Sequence, residues 1–193
     1  MSAMSNVKKL TITAMLIALC VLLPIPFPRE VGMVVLPMHI PILLAGLICG
    51  WKFGLLAGVV GPILSHVLAS HPPASALAYF LSFELGMYGL VSGLVMHFIR
   101  TKRASLDLYI ALVAAMLVGR IAAGALQVFF LGDFVMGSFT GEGFTWSMWV
   151  TVYFVSAIPG LIIQLAFLPS VVMALERERV IPLRYPIESV RLA

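Results

Sequence analysis

The sequence predicts an all-α integral membrane protein of six transmembrane helices with both termini in the cytoplasm, and three observations carry that expectation. Of its 193 residues, 62% are hydrophobic and only 10% charged, against about 25% charged in ordinary soluble domains. The apolar runs are continuous and lack the period-two alternation of a transmembrane β-barrel. The basic residues also sort by side: Lys8, Lys9, Lys52, Arg100, Lys102, Arg103, Arg177, Arg179, Arg184 and Arg191 group with the termini, and only Arg29 falls opposite. Such an asymmetry places the richer side in the cytoplasm. The excess of 12 basic over 8 acidic residues therefore reads as topology, with lipid rather than nucleic acid as the surroundings.

Charges and Pro/Gly clusters punctuate the chain into spans near 9–27, 36–50, 53–70, 76–99, 106–131 and 146–175, one membrane domain over 1–193 with no material left for a soluble one. The first span follows Lys8 and Lys9 as a signal peptide would. No small-x-small site follows it, and Leu19 spoils the lipoprotein pattern before Cys20, so it is kept as a span. Span two opens at His39. It must end at the stretch Gly50-Trp51-Lys52-Phe53-Gly54, because an unbroken helix from Pro37 to Ser70 would be about 50 Å long and the hydrocarbon core is about 30 Å. Span four ends at the basic Arg100–Arg103 turn, and span six carries Pro159, which is expected to bend it. The outer connections PIPFPREVGMVVLPM, HPPAS and GDFVMGSFTGEGFTW are rich in Pro, Gly and aromatics, the composition of loops that fold over a mouth. Cys20 and Cys49 lie in apolar runs without metal-type spacing and read as packing residues.

Within the spans the polar inventory is short: His39, His66, Glu84, Tyr88, Arg120, Gln127, Tyr153 and Gln164. Counted from the outer ends, Glu84 lies roughly 12 Å deep, Arg120 roughly 16 Å, and His66 and Gln127 roughly 6 Å. Arg120, Gly124 and Gln127 share one stripe of span five, and Glu84, Tyr88 and Ser92 share one of span four. An arginine at mid-membrane costs about 2.5 to 3.5 kcal/mol even on the lenient insertion scale, so it should face the bundle interior or a wet cavity and meet an anion. That anion is either Glu84, in a pair that only fixes packing, or an acidic ligand entering from outside, whose carboxylate or phosphate suits the planar guanidinium. The expected binding residues are His39, His66, Glu84, Tyr88, Arg120 and Gln127. His39 and His66 lack a convincing third ligand, so neither a metal nor a cofactor is expected. Gln164 reads as an interhelical hydrogen bond, and Tyr79, Phe83 and Trp149 as interface anchors or a lining for an organic ligand.

On span one, Ala14 and Ala18 sit four residues apart, the small-xxx-small spacing that lets another helix approach closely. The chain carries no GxxxxGK[ST] phosphate loop, HExxH or GxSxG motif. ATP-driven transport would need its energy from other chains, and enzyme activity is not expected.

Taken together, KKLTITAMLIAL with Ala14-x-x-x-Ala18, the run LPMHIPILLAGLICGWKFGLLAGVVGPILSH, then HPP, FELGMYGLVSGL, LVGRI and SAIPGLIIQ resemble the S components of energy-coupling factor (ECF) vitamin transporters. The likeness covers nearly the whole chain and is closest to the pantothenate-like branch. It implies a six-helix subunit in the cell membrane that captures a water-soluble vitamin under the first external loop. It also implies docking, through Ala14 and Ala18, on a transmembrane coupling subunit that works with two ATPases. Pantothenate is the expected ligand, and a pyridoxine- or hydroxymethylpyrimidine-type compound is the alternative. A proton-coupled carrier using Glu84 and His66 is the competing class, disfavoured because no internal repeat relates residues 1–100 to 101–193.

Overall fold

The computed structural model describes residues 4–72, 75–126, 147 and 150–182, which are helical with no strand. Gln127, residues 132–146, Trp149, Arg184 and Arg191 lie outside the described residues, as do the side chains of Arg29 and Tyr153.

Helix α1 (Asn6–Leu22) is capped by Ser5, whose hydroxyl accepts from the Lys8 N–H at 3.3 Å. It buries Thr13, Leu16 and Cys20, and turns Ala14, Met15, Ala18 and Leu22 outward. The helix stops short of the expected residue 27, since Pro24, Pro26 and Pro28 withhold the N–H groups needed to continue it. The connection that follows is partly helical: α2 spans Arg29–Val35 and ends at Leu36, whose left-handed backbone (φ 55°) returns its N–H to the Gly32 carbonyl.

Helix α3 (His39–Cys49) has 11 residues, fewer than the 36–50 expected, and is about 16 Å long at helical rise. It is buried on nearly every side, packing on α1, on α4 (Trp51–Ala69) and on α5 (Ser75–Phe98). The turn between α3 and α4 falls where the membrane thickness requires it. Gly50 alone makes it, at φ 95°, a conformation that a β-carbon would strain. Helix α6 (Ala104–Leu126) is preceded by a cap in which the Thr101 N–H and hydroxyl donate to Asp107 Oδ1 at 2.9 and 2.6 Å. A π-helical turn (Thr151–Val155) leads into α7 (Ile158–Arg177). Pro159 therefore sits in the first turn of α7 instead of bending a continuous span, at a position where its missing N–H breaks no helical bond.

Helices α4, α6 and α7, and residues 77–98 of α5, are long and apolar enough to cross a bilayer. With 17 and 11 residues, α1 and α3 are shorter. The centre of the bundle is tightest where α3, α4 and α5 meet at Gly46, Gly54 and Gly89. A β-carbon on Gly54 would fall 2.7 Å from the Gly46 Cα and into the backbone of Gly89. Helix α7 closes the other side against α2, α3 and α6. Near the ends of the chain, the Lys8 ammonium donates to the Val180 carbonyl, tying α1 to the turn after α7.

Candidate ligand-binding site

The buried stripe of α5 runs through Glu84, Leu85, Tyr88, Gly89 and Ser92, and that of α6 through Ala115, Met116, Gly119, Arg120 and Ala123. Because both follow helical spacing, the polar residues of one helix face the other. Tyr88 is the hub. Its ring lies against α6 where Gly119 has no side chain, so close that a β-carbon there would stand 3.3 Å from three ring atoms. Its hydroxyl donates to Glu84 Oε1 at 3.5 Å, a long bond. The His39 imidazole, at the start of α3, meets the Tyr88 ring edge-on with centroids 5.1 Å apart.

Arg120 is 3% exposed. Its guanidinium carbon lies 5.9 Å from the centre of the Phe154 ring, within the range of cation–π attraction, and its charge acts on Glu84, His39 and the Tyr88 hydroxyl. Among the described residues, the Arg120 Nε and the His39 Nδ1 are buried without a hydrogen-bond partner. The fold has thus gathered one cation, one carboxyl, a phenol and an imidazole while leaving polar atoms of two of them open. Such an arrangement can accept an anionic group with a bidentate hydrogen-bonding face.

Of the residues expected from the sequence, His39, Glu84, Tyr88 and Arg120 come together here. His66 is half-buried near the end of α4, with its Nδ1 2.6 Å from the Pro72 carbonyl, and that contact fastens the helix end to the following turn. Gln127 lies outside the described residues. Tyr79 and Phe83 are 66% and 40% exposed, so they turn outward instead of lining the cluster. Two residues acquire a place that the sequence did not suggest. Phe154 covers Arg120 although its neighbour Tyr153 was the expected polar residue of that segment, and the π-helical turn that shifts the register there has no sequence signature. Gln164 is buried, and neither amide atom has a partner among the described residues, where an interhelical hydrogen bond was expected. Among the described residues no group of three or more His, Cys, Asp and Glu side chains could hold a metal ion.

A family model described as the substrate-specific component of ECF transporters matches residues 8–172, a range that includes every residue of the cluster. No curated protein and no solved structure matches the chain.

Proposed function

Because the chain belongs to the family of ECF transporter substrate-specific components, we propose that it captures an acidic water-soluble vitamin, pantothenate first among them, at the Arg120 cluster. Members of this family are substrate-binding subunits, not enzymes, and associate with the membrane and ATPase subunits of the transporter. The observation that carries the acidic ligand is Arg120 itself. A permanently charged side chain 3% exposed, whose Nε has no partner among the described residues, is expensive inside a bundle unless an anion arrives to meet it. Glu84 competes for that role, but the hydrogen bond that Glu84 accepts comes from Tyr88. His39, Tyr88 and Glu84 would shape the site around the ligand, with His66 and Gln127 nearer its mouth. The topology that goes with this reading has six crossings, cytoplasmic termini, and α3 as a short, fully enclosed crossing.

Mass spectrometry of whatever small molecule copurifies, followed by isothermal titration with the pure chain, tests the proposal. Pantothenate should bind with submicromolar affinity. If neither pantothenate nor a pyridoxine- or hydroxymethylpyrimidine-type compound binds below the micromolar range, capture by this chain is wrong.

Docking on the coupling subunit is proposed for the outward stripe of α1. Ala14 and Ala18 are both exposed, which leaves them free for close helix approach and argues against a purely internal packing role. Ala14→Trp or Ala18→Trp should abolish vitamin uptake by the reassembled transporter while titration with the isolated chain stays normal. Uptake that survives both changes would move the docking face elsewhere.

A further inference from the structure

Gly119 immediately precedes Arg120, and both are buried on α6, which packs against α5. A β-carbon added at Gly119 would stand at the same 3.3 Å from Cδ1, Cδ2 and Cε2 of Tyr88. Those atoms lie on both sides of the ring, so equal distances to all three put the added carbon over the ring face, not at its rim. The phenol therefore rests flat on the α6 backbone, at a height set by the missing side chain. Its other neighbours hold it there. The His39 imidazole meets the ring at an interplanar angle of 68°, and the hydroxyl reaches Glu84 Oε1 at 3.5 Å. Tyr88 is 1% exposed, so the ring has no solvent to move into. Being rigid, it passes any displacement of its face to the hydroxyl at its end, the group on which Glu84 and the charge of Arg120 both act. A glycine within a 23-residue helix weakens that helix relative to alanine, which asks for a local reason. At Gly54 and Gly89 the reason is backbone lying against backbone. At Gly119 the neighbour admitted is a side chain, and it is the phenol of the candidate site.

We propose that Gly119 is a positioning residue for capture: it sets the height of the Tyr88 ring, so that the phenol hydroxyl joins Arg120 in holding the anionic group of the ligand. The inference rests on the capture reading above. Gly119 touches no ligand itself and acts through Tyr88. A phenol O–H is a donor, as the guanidinium N–H groups are, and two donors share one anion only when both stand at hydrogen-bonding distance from it. The 3.5 Å bond to Glu84 is long enough to be exchanged for a shorter one to the ligand. A ring displaced by a few tenths of an ångström would carry the hydroxyl out of that arrangement while leaving the helices packed.

The test is a double-mutant cycle on wild type, Gly119→Ala, Tyr88→Phe and the pair, read by titration with pantothenate and by thermal melting of the ligand-free chain. Tyr88→Phe keeps the ring and its contact with residue 119 and removes only the hydroxyl. Gly119→Ala is expected to fold and to weaken pantothenate binding by about 10-fold. Tyr88→Phe should weaken it by a similar factor. Adding Gly119→Ala to Tyr88→Phe should then reduce affinity no further, because no hydroxyl is left to misplace. The melting shift caused by Gly119→Ala should be the same in both backgrounds, since the ring contact is the same in both. A merely structural Gly119 would lower affinity by the same factor with or without the hydroxyl, and that result would overturn the proposal. Unchanged affinity in Gly119→Ala would overturn it too while leaving capture intact, as would a Gly119→Ala chain that fails to fold, which would make the glycine a packing residue. Wild-type protein that binds neither pantothenate nor the alternative vitamins would instead remove the capture reading, and this inference with it.

Discussion

Gly54→Leu, and equally Gly89→Leu, should leave no monodisperse protein after detergent extraction. The reason is geometric. A β-carbon on Gly54 points into the Gly89 backbone and at the Gly46 Cα, and one on Gly89 points back into the Gly54 backbone. These neighbours are main-chain atoms of α3, α4 and α5, so no rotamer change can make room. The three helices would have to separate, and the loss should exceed the roughly 1–3 kcal/mol typical of an overpacked core. In lipid the consequence is greater still, because close packing is itself much of what holds helices together. Gly50→Leu should fail for a different reason. Nothing lies within 4 Å of its added β-carbon, but the backbone is at φ 95°, so the strain is local and the variant should be recoverable at reduced melting temperature. Gly32→Ala, with open space around it, is the neutral control. Size-exclusion profiles and melting curves for the four variants check the order; a well-behaved Gly54→Leu protein with wild-type melting would contradict the close approach.

The turn at Gly50 was legible in the sequence because a physical length, the thickness of the bilayer, forbade a continuous helix and only one glycine-bounded stretch could break it. The clustering of Glu84, Tyr88 and Arg120 was legible for a related reason: few polar residues occur in the apolar spans, and helical spacing assigns each a face. What the sequence hid depends on contacts between elements. The segment REVGMVV reads as loop because it is short and bounded by prolines, yet it forms α2 and supports α7 through Gly160. The meeting of Phe154 with Arg120 lies in a π-helical turn, which has no signature in the sequence. For Gln164 the sequence supplies an amide and a depth, from which an interhelical bond is the ordinary expectation. Whether a partner stands opposite is a tertiary fact, and none does among the described residues.

Arg120→Met should reduce pantothenate affinity by on the order of 10²–10³-fold and leave the chain folded. Arg120→Lys should fall between this variant and wild type, because an ammonium keeps the charge but cannot reproduce two parallel hydrogen bonds. If Arg120 serves instead as a strut for Glu84, its removal strands a buried carboxyl and should cost about 3–5 kcal/mol of stability. The double variant Arg120→Met with Glu84→Gln separates the two roles, since the neutral amide no longer needs a cation in either case and the protein should be stable under both. A clamp then predicts stable protein without affinity, and a strut predicts stable protein that still binds. The geometry favours the clamp: Glu84 takes its hydrogen bond from Tyr88, while the Arg120 guanidinium carbon lies 5.9 Å from the Phe154 ring centre and its Nε has no partner among the described residues. Titration and melting of the single and double variants decide between them. Retained affinity in the double variant would take Arg120 out of the site, and with it the physical argument for an acidic vitamin.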